Sequence, residues 1–427
     1  MKKLIAILAL LALTGNIASA ELLKNFKYDG IIDVNAYSSK NNSDANDDAD
    51  DTTSQVDTRL QVNMAFDLND DVDAVVSAVK NDRQYGEGSQ NGTGATGVLD
   101  LVKFEQAYLN LKGVFGLDHK LGRQYYGEEG DLVVYLGPTN WPYQPALPVS
   151  ALDAWTGWYT NDKWNIHAVA GKITESAAGN PDLDQDLTGI VAKYMLNDNM
   201  SLGAYYYTDK TYSAVSDTVL KVAGAKVMGK LAGFNYYGEY AKNMGQNGNT
   251  AKYEGSALLA KADYGMDIAG KLTFMGEFAM GSGDDNSTDT KTEQFVDINS
   301  DYRPGIFWGG FNGMNGLTDT GLAAVNVTGL TTWNIGAKWM PDFQEKLSLS
   351  AKYIFLAPTE DKLDGASIGY DEMGTELDLC ATWQHSENVK IKAYYAYFMP
   401  EKNYVVANGL TTDDPAHVVG ALFNVKF

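Results

Sequence analysis

The sequence has few of the residues that build disulfide frameworks and metal clusters. Among its 427 residues there are one cysteine, Cys380, and four histidines. A single cysteine excludes an intrachain disulfide and a cysteine-based zinc cluster. The histidines lie more than 30 residues apart, so they form no compact metal motif such as His-Glu-x-x-His. The composition therefore predicts that the protein holds no metal and no cofactor.

Basic residues are also scarce. Lysine and arginine number 33 against 55 aspartates and glutamates, which gives a formal net charge of −22. A nucleic-acid-binding protein needs basic patches against phosphate, so this charge balance argues against a nucleic-acid partner. Long hydrophobic runs are missing as well. No stretch approaches the roughly 18 consecutive apolar residues of a membrane-spanning helix.

The N-terminus carries the pattern of a secretory signal peptide. Met1-Lys2-Lys3 is a short basic start, and Leu4 to Leu13 is an unbroken apolar stretch of ten residues. Ala18-Ser19-Ala20 then supplies a small-residue cleavage pattern. Ten apolar residues are too few to span a bilayer, which needs about 20. The sequence predicts that residues 1–20 are cleaved and that residues 21–427 form the mature protein.

The mature chain alternates polar and apolar residues over long segments. From Gln55 to Leu68, one face carries mostly apolar side chains and the other carries mostly polar ones. Successive side chains of a β-strand point to opposite faces, so this pattern predicts a strand with one apolar surface. Its length exceeds the roughly 5–6 residues typical of soluble proteins and suits a tilted strand that crosses a membrane.

Eighteen such segments can be counted. Their approximate centres are Asp33, Gln61, Val76, Ala107, Gly122, Trp155, Ala168, Ala192, Ala204, Ala223, Tyr237, Leu258, Met275, Gly336, Ala351, Leu379, Tyr394 and Leu422. The segments around Val76, Gly122 and Ala223 alternate poorly, so sixteen strands is the alternative count. An even number is typical of bacterial outer-membrane barrels, whose termini both lie on the periplasmic side.

The connections alternate between short and long. Asn69-Asp70-Asp71 and Asn197-Asp198-Asn199 are tight polar turns, whereas Gly127–Ser150 and Gly281–Leu330 are long. Short periplasmic turns and longer extracellular loops are typical of transmembrane barrels, whereas a soluble β-sandwich rarely has all its long loops at one end. Aromatic residues near segment ends, such as Tyr205-Tyr206-Tyr207, fit interfacial girdles. The predicted fold is all-β: a transmembrane antiparallel up-and-down barrel.

A barrel of 16–18 strands encloses an aqueous channel, so its polar faces point into the lumen. Charged lumen walls tune the selectivity of a channel. The charged residues predicted there as lumen or selectivity residues are Asp57, Arg59, Lys271, Glu277, Glu376, Asp378, Lys390 and Lys392. Pairing of these charges across strands, which would only keep the lumen hydrated, is the alternative for any one of them.

Two loops have compositions that are unusual for solvated tips. The loop Gly127–Ser150 is rich in proline and aromatic residues. We expect it to fold into the lumen and constrict the pore, with Trp141 and Tyr143 as contact residues; a self-packed surface loop is the alternative. The fifty-residue loop Gly281–Leu330 is aromatic around Trp308, which favours an ordered plug or lid.

Several short motifs resemble one family. His119-Lys120-Leu121-Gly122-Arg123-Gln124 followed by Ala151-Leu152-Asp153-Ala154 resembles the Gly-Arg-Gln and Asp region of alginate-export-type outer-membrane porins. Gly374-Thr375-Glu376-Leu377-Asp378-Leu379 and Ala396-Tyr397-Phe398 resemble the closing segments of that family. The final Phe423-x-Val425-x-Phe427 resembles the signature that the outer-membrane assembly machinery reads.

The resemblance implies a monomeric eighteen-stranded barrel, with Arg123 and Asp153 at lumen positions. One departure concerns the substrate. An alginate exporter is expected to have an arginine-rich lumen, but this chain has only four arginines, and its acidic loops would repel a polyuronate. From the resemblance we therefore infer the barrel fold and the porin role, and we do not infer alginate as the substrate.

The predicted function is passive diffusion of small hydrophilic solutes or ions through a porin in the outer membrane of a Gram-negative cell. A substrate-specific channel or exporter for a sugar, polysaccharide or organic acid remains open, as does a structural or adhesive barrel. An enzyme is not predicted, because nothing marks a serine near the strand residue His167. Expected partners are membrane lipid, lipopolysaccharide and the assembly machinery, through Phe427; the sequence fits a monomer and a homotrimer equally.

Overall fold

The computed structural model describes eighteen long strands that form one sheet. The described residues are 25–42, 44–49, 51–84, 102–139, 147–176, 183–249, 251–286, 289–311, 316–317, 329–360 and 369–427. The strands are β1 Phe26–Lys40, β2 Thr53–Asn69, β3 Val72–Gln84, β4 Lys103–Val114, β5 Leu117–Gln124, β6 Leu152–Thr160, β7 Trp164–Thr174, β8 Gln185–Asn197, β9 Met200–Thr211, β10 Thr218–Leu231, β11 Phe234–Asn247, β12 Ser256–Asp267, β13 Gly270–Gly281, β14 Leu330–Pro341, β15 Leu347–Pro358, β16 Gly374–Ser386, β17 Val389–Pro400 and β18 Ala416–Lys426.

A few short elements lie in the connections. They are the two-residue strands Tyr126–Gly127 and Tyr135–Leu136, the short strands Ala251–Tyr253 and Lys291–Thr292, the π-helical turn Phe307–Phe311 and the helix α1 Lys402–Ala407. Glu401 caps α1, because its carboxylate accepts hydrogen bonds from the backbone N–H groups of Asn403 and Tyr404. No helix within the described ranges is long and apolar enough to cross a membrane.

The sheet closes on itself into an antiparallel barrel. Each long strand pairs with the next along the chain, and β1 pairs with β18 from Ile31↔Lys426 to Lys40↔His417. A closed sheet leaves no unpaired edge, which is what a β structure needs in lipid. The predicted barrel is confirmed, with eighteen strands rather than sixteen. All eighteen predicted centres fall inside strands, including Val76, Gly122 and Ala223.

Connections at one end of the barrel are tight, and those at the other end are long. Phe115-Gly116 has φ values of 55° and 77°, and Ala232-Gly233 has 52° and 89°. Two consecutive residues with positive φ are the geometry of a type I′ turn, which matches the twist of the strands it joins. The connections after odd-numbered strands are longer and include the β5–β6 loop, residues 125–151, and the β13–β14 loop, residues 282–329. By the rule for bacterial barrels, the long loops face the exterior of the cell.

The outer surface carries aromatic pairs at two heights. Near the tight turns, Trp164 lies 4.7 Å from Tyr194 and Phe234 lies 4.8 Å from Tyr264, between ring centroids. Toward the long loops, Trp333 stacks on Phe355 at 5.5 Å. Such belts are typical of the two membrane interfaces. Tyr205-Tyr206-Tyr207 differs from the girdle prediction, because strand alternation leaves only Tyr206 outside and buries its two neighbours inside the barrel.

Candidate functional site

The two long loops meet each other inside the barrel. The N–H groups of Ile298 and Asn299 both donate to Val133 O at 3.0 Å. Tyr135 N–H in turn donates to Asn299 O at 2.8 Å. Since each loop binds the main chain of the other, the described parts of the β5–β6 and β13–β14 loops form one body, which we call the inner plug. Its core is apolar and buried and contains Leu132, Val133, Phe295, Ile306, Phe307 and Trp308.

The β5–β6 loop is tied to the barrel wall from several strands. On β10, Lys226 Nζ lies 2.7 Å from Asp131 Oδ2. On β2, Arg59 Nη1 donates to Thr139 O at 2.7 Å. These contacts place the described flanks of the predicted loop Gly127–Ser150 inside the lumen. Trp141 and Tyr143 lie outside the described residues, so their contact with a solute stays a prediction.

The β13–β14 loop is tied to other strands of the wall, β13, β14 and β16. Tyr302 OH donates to Glu277 Oε1 of β13 at 2.8 Å, and Asn334 Nδ2 of β14 donates to the same oxygen at 3.0 Å. On β16, Glu376 and Asp378 accept hydrogen bonds from the loop backbone. The carboxylates of Glu277, Glu376 and Asp378 are therefore occupied as anchors for the plug.

An open cavity of about 430 Å³ remains beside the plug. It is lined by Ile31, Asp33, Arg59, Glu129, Thr139, Leu147, Lys390, Lys392, Leu422, Asn424 and Lys426. Four of these side chains are basic and two are acidic, so the lining is basic on balance. The cavity lies against β1, β2, β17 and β18, and it continues toward the tight-turn end, where Lys390 and Lys426 stand.

Strand alternation places eight of the predicted lumen residues on the inner face. Asp57 and Arg59 lie in phase on β2, and the remaining six lie on β13, β16 and β17 in phase with buried inner residues such as Ala279 and Ala396. The structure does not bring all eight to one point. Lys390, Lys392 and Arg59 share the cavity, Glu277, Glu376 and Asp378 hold the plug, and Lys271 lies exposed at the tight-turn end of β13.

Arg123 and Asp153 are a correction, because they lie on the outer face of the barrel. Arg123 is in phase with Leu121, which is 40% exposed, and Asp153 is in phase with Trp155, which is 37% exposed. Gln124 is 0% exposed and points inward. Arg123 Nη1 lies 3.2 Å from Asp153 Oδ2, and its Nη2 lies 3.4 Å from Oε2 of the buried Glu105 on β4. Arg123 therefore joins two carboxylates at the long-loop rim. The resemblance identified this pair but placed it on the wrong side of the wall.

Several lumen residues were missed from the sequence. Asp33 and Lys426 occupy polar positions of the alternating pattern in β1 and β18, so the sequence pattern alone could have identified them. Asp131 and Tyr302 lie in loops, where no periodicity marks an anchoring residue. Their partners, Lys226 and Glu277, lie on strands 95 and 25 residues away in the sequence.

Burial inside the plug shifts the ionisation of two loop residues. Desolvation raises the pKa of Asp297 to about 6, although its carboxylate accepts the Ser300 N–H at 2.8 Å. Burial also lowers the pKa of Arg303, opposed by the charge of Asp301 beside it. These groups order the loop. They are not arranged as an acid–base pair around a reacting atom.

Other polar clusters in the described residues do not form a reaction centre. His167 packs between aromatic rings, with Tyr126 at 5.8 Å and Trp158 at 6.5 Å between centroids. Asp284, Asp285 and Glu293 bring carboxylate oxygens within 4.8 Å of one another in the β13–β14 loop. Asp284 is buried, Glu293 is half-buried and Asp285 is exposed, and none of the three lines the cavity.

The fold resembles those of outer-membrane proteins of Pseudomonas aeruginosa. OpdK, in its structure with vanillate, has a TM-score of 0.60 and 10% identity, covering 95% of this chain and 99% of that one. OccK8 (OprE) has a TM-score of 0.59 and 11% identity, covering 95% and 98%. OprD has a TM-score of 0.53 and 12% identity, covering 95% and 94%. At these identities the likeness shows the fold alone.

Sequence comparison supplies the family. No curated protein matches the chain. The family model for alginate export matches residues 35–402, which is most of the chain and nearly all of the barrel. The chain thus belongs to the alginate export family and is a non-enzymatic channel of the Gram-negative outer membrane.

Proposed function

We propose that the protein conducts small anionic solutes, carboxylates in particular, and excludes polymers. The observation that carries this proposal is the division of charge inside the barrel. Several acidic groups of the inner wall are bound to the plug, whereas Lys390, Lys392 and Lys426 line the open cavity.

Distance and burial decide which charges a solute meets. The protein as a whole is acidic, but interactions between exposed charges fade beyond about 8–10 Å at physiological ionic strength. Inside a narrow lumen the nearest accessible side chains therefore dominate, and these are the lysines of β17 and β18, since Arg59 is buried and paired with Asp33. A preference for cations, which the formal net charge of −22 would favour, is the competing outcome.

The plug limits the size of the solute. A barrel of 18 strands is wide enough for an aqueous channel, but two loops bound to each other cross this one. A cavity of about 430 Å³ suits a small organic acid better than a polysaccharide chain. The structure of OpdK, a protein with a similar barrel, contains vanillate, which is a small carboxylate.

The experiment is a planar-bilayer recording of the mature protein in a KCl gradient. We expect discrete conductance steps with a reversal potential that favours Cl⁻. Lys390→Gln combined with Lys392→Gln should move the reversal potential toward K⁺, while Lys163→Gln, in a tight turn outside the lumen, should leave it unchanged. A wild-type channel that prefers K⁺, with the same preference in the double lysine variant and in Lys163→Gln, would overturn the proposed anion selectivity.

Processing and assembly complete the proposal. Residues 1–20 are removed on export, and Phe427 is read by the assembly machinery before the barrel closes. In the closed barrel Gly30 and Phe427 exchange backbone hydrogen bonds at 2.9 and 3.0 Å, and the Phe427 ring stays about half exposed. Phe427→Ala should lower the fraction of heat-modifiable, folded protein in outer membranes; an unchanged fraction would argue against recognition of this residue.

A further inference from the structure

Three consecutive backbone N–H groups of the β13–β14 loop point at two carboxylates of the barrel wall. Ile306 N–H donates to Asp378 Oδ2 at 3.1 Å. Phe307 N–H and Trp308 N–H donate to the two oxygens of Glu376 at 2.7 and 2.9 Å. The contact is made to the main chain, so it fixes the position of the loop backbone across the lumen.

Neighbouring groups fit the loop closely to the wall. Lys352 Nζ of β15 donates to Pro304 O at 2.6 Å. The Phe307 ring stacks on Phe398 of β17 with centroids 5.2 Å apart and an angle of 12° between planes. A Cβ added to Gly305 would lie 2.5 Å from Glu376 Oε1, so the approach depends on the absence of a side chain there. The segment Pro304–Phe311 is therefore seated by polar contacts on β15 and β16 and by apolar contacts on β17.

The anchor is made of two carboxyl groups side by side. Glu376 and Asp378 are both buried, and the hydrogen bond that they share requires a proton on one of them. Asp378 Oδ1 has no hydrogen-bond partner among the described residues. Burying two carboxyl groups side by side costs free energy that their hydrogen bonds only partly offset. If the loop lifts away, water hydrates the two groups again, so the release costs less than it would from a purely apolar seat.

We propose that Glu376 and Asp378 are positioning residues that hold Pro304–Phe311 as a movable gate, and that release of this gate widens the channel. The proposal concerns the width of the channel and is independent of its ion preference. The gate lies across the lumen because its neighbours in the loop are bound to the β5–β6 loop from the other side.

Single-channel conductance and the size limit for permeating polyethylene glycols test the gate. Glu376→Ala combined with Asp378→Ala should raise the conductance by at least about twofold and admit larger polymers, because conductance follows the pore cross-section. Gly305→Ala should act in the same direction without changing any charge, since the added methyl displaces the Glu376 carboxylate. Asp263→Asn removes an inward carboxylate of β12 that is not bound to the gate, so it should leave both readouts unchanged.

Folding is checked separately by heat modifiability on gels. If the double alanine variant fails to fold, Gly305→Ala alone and Glu376→Gln alone decide the question. Wild-type conductance and size limit in folded Gly305→Ala and Glu376→Gln would overturn the proposal. A larger conductance in the Asp263→Asn control as well would also overturn it, because the effect would then be one of lumen charge.

Discussion

Arg59 of β2 and Asp33 of β1 face each other across the strand pair and join through two hydrogen bonds to one carboxylate oxygen. Arg59 Nη2 and Nε lie 2.7 and 3.0 Å from Asp33 Oδ2. Their side chains are only 5% and 3% exposed. The same guanidinium donates its Nη1 to Thr139 O, so one buried ion pair connects the barrel wall to the β5–β6 loop.

Replacing Arg59 should therefore weaken the barrel and loosen the loop together. Removing one partner of a buried ion pair costs about 3–5 kcal/mol, because the remaining charge stays buried. Arg59→Leu should lower the unfolding transition in detergent and increase conductance noise. Arg59→Lys keeps the charge but loses the two-nitrogen contact. Its unfolding transition and its conductance noise should therefore lie between those of Arg59→Leu and those of the wild type. Unchanged stability and conductance in Arg59→Leu would contradict this role.

The orientation of Arg123 and Asp153 gives a prediction for the outer wall. Because both side chains point away from the lumen, Arg123→Gln combined with Asp153→Asn should leave conductance and reversal potential at wild-type values. The exposed Arg123–Asp153 pair contributes roughly 0–1 kcal/mol, so any larger loss of stability should come from the buried Glu105 carboxylate, which loses its contact with Arg123. The variant serves as an outer-wall comparison for Lys392→Gln, which changes a lumen charge and should change selectivity. A shift in reversal potential in the outer-wall variant would show that the pair reaches the lumen.

Asp297 predicts a pH dependence of loop packing. Burial raises the pKa of Asp297 from an ordinary value of 3.8 to about 6. The packed loop therefore binds this proton more tightly than the released loop does, and packing weakens as the pH rises between these two values. From pH 5 to pH 7 the equilibrium for release should increase about tenfold.

Hydrogen exchange of the backbone around residues 295–301 would measure the change. Exchange corrected for its intrinsic pH dependence should become faster from pH 5 to pH 7 in the wild type. Asp297→Asn should remove the dependence, and Asp289→Asn, at an exposed carboxylate of the same loop, should keep it. If the pH dependence of exchange persists in Asp297→Asn, a titrating group other than Asp297 controls the packing of the loop.

The barrel could be predicted from the sequence because its physics is local. A strand needs only period-two alternation, and the pattern around Gln61 or Tyr394 reports directly which face meets lipid. The interior of the lumen could not be predicted in the same way. Whether Glu376 faces water or a loop depends on Phe307, which lies 69 residues away and in a segment without periodicity.

The error at Arg123 has a related cause. β4, which pairs with β5, has one extra residue, Glu105, where it pairs with Ser77 and Ala78 of β3. Such a bulge changes the phase of alternation from one segment of a strand to the next. The motif around Arg123 was visible in the sequence, but the side of the wall on which its side chain lies is set by pairing with Ala107 and Asp153.

Cys380 offers a direct test of the inner face, because it is the one cysteine in the sequence. It lies on β16 in phase with Glu376 and Asp378 and pairs with Tyr394 of β17. The next inward position, Thr382, pairs with Lys392. A sulfonated thiol reagent attached at Cys380 would therefore place a negative charge inside the lumen near the basic wall.

We expect this modification to lower the conductance and to move the reversal potential toward K⁺, because the added charge offsets the lysines of β17. The reagent should react faster from the tight-turn side, since the plug separates Cys380 from the long-loop side. Cys380→Ser should abolish both effects while leaving the unmodified channel unchanged. Complete modification, verified by mass spectrometry, without any electrical effect would mean that ions pass through a part of the lumen remote from β16 and β17.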